Sequence, residues 1–317
     1  MPFQCVERFA RATTVAFTEH LCASASASGR RVRVWERESG REILLLDKLR
    51  YMYTCFLTPD ESACVVCGTV NTVLLCSLGE EKPAVQKIVL KGDEGPDAAC
   101  CLAPDGSALY YPMTTGSLGT QVLKIDVRSG EVRSLCETET MVRWLSWIPE
   151  REQYLLLGFD RAREQNYFLW FKNDRIDMHS RGFLQEDARG SLHVIYGGGC
   201  LYAERRAEKA LGEYDLEGRL TRTLPLPASI NAFPEPRENP PPEAYLRTEI
   251  LHTLLCDSAQ NRLYVATSNA VYALSTRDGA QLAAQKQEFG YLRLALYGHD
   301  LLASRFSGGV ERLRLAK

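Results

Sequence analysis

The sequence predicts an all-β fold, a seven-bladed β-propeller of four-stranded antiparallel blades, and three observations carry that prediction. The first is a complete unit between Asp97 and Leu135. Its runs DAACCLA, SALYYP, TQVLKIDV and EVRSL alternate apolar and polar residues in period two, and turns at Pro104-Asp105-Gly106 and Arg128-Ser129-Gly130 separate them. The second is recurrence. The turn after each unit's first strand falls at Glu19, Pro59, Pro104, Pro149, Gly199, Ser258 and His299, with spacings of 40, 45, 45, 50, 59 and 41 residues. Four strands every 40 to 50 residues is the period of a propeller, in which each blade buries both faces against its neighbours. The third is an incomplete last unit. YLRLALY, DLLASRF and GVERLRLA are followed by the end of the sequence, while PFQCVERFA precedes the first inner strand and is expected to supply the missing outer strand.

A chain of 317 residues exceeds the size at which one core keeps growing, and repetition accounts for it as a single domain, 1–317. A net charge of −2 supplies no field for a polyanion, so nucleic acid is not expected as a partner. Neither MPFQCVERFARATTVAF nor any other stretch has the apolar run of a signal peptide or a membrane span. The eleven cysteines lie mostly in predicted strands, where a reduced thiol packs as a small hydrophobe, and the chain is therefore expected to be cytoplasmic and monomeric.

In Val32–Gly40, VRVWERESG, and Lys124–Gly130, KIDVRSG, the sequence resembles the third-strand signature of WD-repeat propellers, in which a Trp-Asp pair closes the strand. Trp35 supplies the tryptophan, followed by Glu36, and Asp126 supplies the acid; no unit carries the family's Gly-His element after its outer strand. The resemblance implies a rigid scaffold for protein partners.

Third-to-fourth-strand turns are short, as at Glu38-Ser39-Gly40, Asn173-Asp174, Glu217-Gly218 and Asp278-Gly279. The face carrying second-to-third-strand loops and blade-to-blade crossings has the longer segments 113–120, 160–166, 205–211 and 225–247. The last holds seven of the 14 prolines and reads as an extended insertion between blades five and six. Its Phe233 and Tyr245 are candidate partner-binding residues.

Six positions before the turn anchors stand Tyr53, Ala98, Arg143, His193, His252 and Arg293, among mostly apolar neighbours. Tyr53, Arg143, His193, His252 and Arg293 are thus candidates for a small-anion site at the channel mouth, since arginine offers a donor fork and histidine a titratable donor. Cys64 and Cys67 sit three apart on one strand and point to opposite faces, so no metal site is expected there, and no cofactor either. Trp144, Trp147 and Trp170 read as packing aromatics. The sequence therefore points to a non-catalytic binding module with a protein or peptide partner. A propeller hydrolase or lyase acting in the channel is the alternative, which the absence of a carboxylate from the polar column disfavours.

Overall fold

The structure, a computed structural model, describes residues 2–316 apart from 27–29, 50–51, 69–70, 80–82, 92–99, 116–118, 139–140, 161–164, 173–174, 178–181, 184–192, 206–207, 231–248 and 250. At 53, 141, 143, 159–160, 165–168, 172, 175–177 and 182–183 it describes the backbone alone.

The strands follow the predicted punctuation. After β1 (Phe3–Phe9), blade one is β2 (Thr14–Phe17), β3 (Leu21–Ser26), β4 (Arg31–Glu36) and β5 (Glu42–Leu46), and blade two is β6 (Met52–Leu57), β7 (Ala63–Gly68), β8 (Thr72–Ser77) and β9 (Val85–Val89). Blade three is β10 (Cys101–Leu102), β11 (Ala108–Thr115), β12 (Gly119–Asp126) and β13 (Val132–Thr138). Blade four is β14 (Met141–Ile148), β15 (Gln153–Asp160), β16 (Gln165–Lys172) and β17 (Arg175–Asp177), with β18 (Gly182–Phe183) also pairing β16. Blade five is β19 (Val194–Gly197), β20 (Cys200–Arg205), β21 (Ala210–Tyr214) and β22 (Leu220–Pro225); blade six is β23 (Leu251–Asp257), β24 (Arg262–Thr267), β25 (Ala270–Ser275) and β26 (Gln281–Lys286). Blade seven is β27 (Tyr291–Tyr297), β28 (Asp300–Arg305) and β29 (Val310–Leu315), and β1 completes it, pairing antiparallel with β29 from Phe3 opposite Leu315 to Phe9 opposite Val310.

Burial explains the pattern of the runs. The second strand of a blade is covered on both sides, so β7 (ACVVCG) is buried at every residue, and its side chains divide in period two. Cys64 and Val66 join a core shared with blade one, whereas Val65 and Cys67 join one shared with blade three. Blade six repeats the division: Leu263 and Val265 pack toward blade five, Tyr264 and Ala266 toward blade seven. Outer strands such as β9 and β22 are largely exposed, as single-sided edges should be.

By spatial proximity the chain divides into two compact units, residues 1–10 with 186–317 and residues 11–185. Within each, turns at the two ends of a blade are tied in a repeated way. At one end, the residue after the third strand donates to the first-to-second-strand turn: Arg37 N to His20 O, Leu78 N to Ser62 O, Val127 N to Ser107 O and Thr276 N to Asn261 O, at 2.8 to 3.0 Å. At the other, the chain leaving the fourth strand donates to the second-to-third-strand turn: Leu49 N to Arg30 O, Leu90 N to Asn71 O and Gln287 N to Asn269 O, at 2.8 to 2.9 Å. The short third-to-fourth turns are closed by Gly40, Gly130 and Gly279, whose amides donate back to Glu36, Asp126 and Ser275.

Three segments predicted as long loops are largely hairpin. Thr115 pairs with Gly119, Asp160 with Gln165 and Arg205 with Ala210, so the ladders run almost to the turns. Pro225, predicted to begin the insertion, instead ends β22 opposite Ala210, on an outer strand whose free side asks for no donor.

Candidate functional site

The inner strands carry the residues that the sequence singled out, and hydrogen-bond register assigns them to two adjacent levels. Pairing of β6 with β7, β14 with β15 and β23 with β24 skips one residue, at Tyr53, Arg143 and His252. Each is the extra residue of a β-bulge. In blade seven the skipped residue is Leu292, and Arg293 lies one position on, opposite Ser304. His193 sits at the same position as Arg293, since its carbonyl accepts from Glu204 N just before Val194 pairs with Ala203. The slip of one residue has a local cause. In blades four and six the anchoring turn residue, Pro149 or Ser258, directly follows the inner strand, whereas in blades five and seven the anchor is the second residue of the turn, Gly199 or His299. The same count back therefore lands one place apart in the two kinds of blade.

His252 is half-buried, and its Nδ1–H donates to Tyr291 O of the next blade at 2.8 Å. That bond fixes the tautomer of the neutral ring and leaves Nε2 as its acceptor; the protonated ring donates from both nitrogens. The side chains of Tyr53 and Arg143, and all of Ala98, Phe233 and Tyr245, lie outside the described residues.

Two buried polar clusters occupy blades six and seven, at the end that carries the second-to-third-strand turns. In blade six the Glu249 carboxylate accepts from Thr267 Oγ1 at 2.5 Å and from Tyr272 OH at 2.8 and 3.0 Å, while Ser229 Oγ lies 3.0 Å from the same phenol. Ile230 and Glu249 form a parallel bridge, so the chain between them leaves and returns at one place. Burial above all, with Glu249 adding, pushes the Tyr272 phenol up to about 12, which keeps it a proton donor to the carboxylate. In blade seven the roles are exchanged: the tyrosine, Tyr291, opens the first strand, and the carboxylate, Glu311, lies on the third. Tyr291 OH donates to Glu311 at 2.8 Å, and Arg8 Nε approaches the same carboxylate at 3.3 Å. Burial, then Glu311, raises the Tyr291 phenol. Neither cluster was visible in the sequence, because Glu249 and Tyr272 are far apart in the chain and belong to no shared motif.

Cys64 and Cys67 face different cores, as residues three apart on a strand must. Burial raises the Cys64 thiol well above the ordinary range and pushes Cys76 up to about 12, and Cys67 is raised as well, so these sulfurs stay protonated, poor nucleophiles and poor metal ligands. For Cys67 the largest cause is its hydrogen bond with Cys100, ahead of burial. Among the described residues no three His, Cys, Asp or Glu side chains are grouped to hold a metal. Trp170 is buried beneath the Arg151 guanidinium at 4.4 Å, and Trp147 meets Tyr154 edge-on at 4.9 Å, both as packing aromatics.

No protein-family model and no curated protein matches the sequence. Among solved structures, the Cps50 (Swd1) β-propeller domain of Myceliophteria thermophila is similar over 99% of this chain and 100% of that one, with a TM-score of 0.69 at 12% identity. The fold is a seven-bladed β-propeller. At that identity the likeness extends to the fold and no further. No helix among the described residues is long and apolar enough to cross a membrane.

Proposed function

We propose that this propeller is a WD-like binding or scaffold module that recognises a protein or peptide through the face bearing the second-to-third-strand turns and the blade-to-blade crossings. One observation supports the reading most directly. The insertion between blades five and six starts and ends at a rigid foot, where Ile230 bridges Glu249 and the Glu249 carboxylate is held by Thr267 and Tyr272. A buried carboxylate whose donors among the described residues are the neutral hydroxyls of Thr267 and Tyr272 is a costly anchor for a segment that served only as a spacer. On the other face Gly40, Gly130 and Gly279 close tight, self-hydrogen-bonded turns.

The polar residues of the inner strands add a small anion to this reading. His193, His252 and Arg293 supply donors in blades five to seven, and Tyr53 and Arg143 are their counterparts in blades two and four.

The decisive experiment replaces residues 231–248 with a short Gly-Ser linker and compares both proteins by cross-linking capture from the native cells. The linker protein keeps its thermal midpoint and loses the specific partner. A linker protein that fails to fold makes the segment structural and removes the docking argument. Calorimetry with phosphate, citrate and small carboxylates tests the anion. His252→Ala or Arg293→Ala weakens binding. Binding untouched by either substitution sets this site aside.

A further inference from the structure

Blade seven presents an apolar feature that the fold does not use. Phe289 and Phe306 are 56% and 59% exposed, on connections that meet: Phe306 N donates to Gly290 O at 3.1 Å. The first ring comes at a backbone cost. Phe289 has φ of 62°, in the left-handed region where a bulky side chain is strained. Nine described non-glycine residues have positive φ; the other eight are Arg11, Arg30, Lys48, Glu61, Asn71, Glu152, Lys209 and Asn261, all polar, and Phe289 alone is apolar. Asparagine or glycine would relax the turn, and a polar residue would suit the solvent, so both conformation and exposure argue against phenylalanine here on grounds of stability.

The turn is nonetheless held firmly. Gln287 N donates to Asn269 O and Gly290 N to Gln287 O, both at 2.9 Å. A Cβ on Gly290 would lie 2.0 Å from Thr267 O and 2.3 Å from the Ser268 carbonyl carbon, so the crossing rests flush against blade six. The aromatic is thus presented on a fixed base, with its ordering entropy already spent, which favours binding.

Two arginines stand on the strands beside these rings. Arg8, 69% exposed along its side chain, and Arg305 both turn to the one buried carboxylate of Glu311, and Tyr291 OH also donates to it. Arg305 is weakly held: Nη1 stands 3.8 Å from Glu311, Nη2 reaches Ser307 Oγ at 3.1 Å, and the buried Nε has no hydrogen-bond partner among the described residues. Lys286 ends β26 and Glu288 lies on the crossing, one charge of each sign. Two arginines thus share the one carboxylate of Glu311 beside two exposed rings, which leaves guanidinium N–H donors for a further carboxylate.

We propose that Phe289 and Phe306, flanked by Arg8 and Arg305, form the docking platform for a partner segment that combines bulky apolar with acidic side chains. The proposal deepens the reading of a binding face and rests on it. The rings supply apolar contact, and the arginines favour acidic over basic sequences by the sign of their charge.

The test uses the full-length protein and a displayed library of random dodecapeptides. Enriched peptides carry apolar residues beside Asp or Glu, bind more weakly as salt rises, and lose about tenfold or more in affinity to Phe289→Asn or Phe306→Ser. Arg8→Gln weakens them about threefold. Phe289→Asn also separates recognition from packing: asparagine tolerates the left-handed turn, so its thermal midpoint equals or exceeds that of the parent. A lower midpoint makes the ring a packing element and overturns the proposal. So does the absence of enriched peptides, or sedimentation showing a dimer that Phe306→Ser dissolves, which assigns the rings to a second copy of the chain. Peptides that retain full affinity for both ring variants yet lose it when residues 231–248 are replaced overturn the platform and leave the binding face in place.

Discussion

Asp300 shows how single residues carry the charge of the last blade. It is almost wholly buried, and its carboxylate accepts from Arg314 Nε at 2.7 Å and Nη2 at 2.8 Å and from Arg312 Nε at 2.6 Å. The Arg314 guanidinium first, then Arg312, holds this carboxyl below the usual range against the opposing pull of burial. A carboxyl whose folded-state pKa is depressed contributes stability above its unfolded pKa, near 3.9, and that stability fades as pH falls through the folded value. Asp300→Asn should therefore cost about 1–2 kcal/mol at neutral pH, a figure reduced for the half-exposed Arg314 by solvent screening. Urea titrations of both proteins at pH 7 and pH 3 check it: the gap between them narrows at the lower pH, whereas a gap that stays constant assigns the loss to packing. The sequence shows an aspartate after Gly298-His299 and two arginines spaced by one residue, but not that β28 and β29 bring them side by side.

At the scale of the element, the β-bulge marks what sequence can and cannot supply. Strand identity was legible because β7, β20, β24 and β28 each hold a short apolar run between turn residues. The level of a side chain within an inner strand was not, since a bulge inserts one residue without changing composition, and the turn residue that stands out in the sequence is the first of its turn at Pro149 and Ser258 but the second at Gly199 and His299. Tyr53, Arg143 and His252 share one level for this reason, and His193 and Arg293 another. The polar foot of the insertion was equally hidden, because Glu249 falls just past the proline-rich segment 225–247 and in no motif until the fold brings it to Thr267 and Tyr272. That foot is testable as an element. Tyr272→Phe leaves the ring in place and removes a donor from a buried carboxylate, so it should cost about 1–3 kcal/mol, read as a lower urea midpoint at unchanged m-value. A neutral outcome would mean that water replaces the phenol.

For the whole molecule, the informative fact is that one compact unit is assembled from both ends of the chain, residues 1–10 and 186–317. β1 is the outer strand of blade seven, and its pairing with β29 is supported by side chains across the seam: Arg8 to Glu311 at 3.3 Å, Glu7 to Arg312 at 3.4 Å, and Phe3 packed in the core with Tyr264 and Leu313. The sequence made this closure legible by leaving the last unit one strand short. Removing residues 1–9 would strip β29 of its partner, uncover Phe3's place in the core shared by blades six and seven, and leave Glu311 with one arginine fewer. Burial of one phenylalanine alone is worth about 1.5–3 kcal/mol, and an open edge adds a template for intermolecular pairing. The truncated protein should therefore unfold at a markedly lower temperature and aggregate from the exposed edge. The same nine residues added in trans as a synthetic peptide should restore part of the lost midpoint, because they bind only the folded state. Differential scanning calorimetry of the truncation with increasing peptide measures this directly: a midpoint that does not move with peptide, or a truncation as stable as the full chain, would show that the seam closes the blade without holding it.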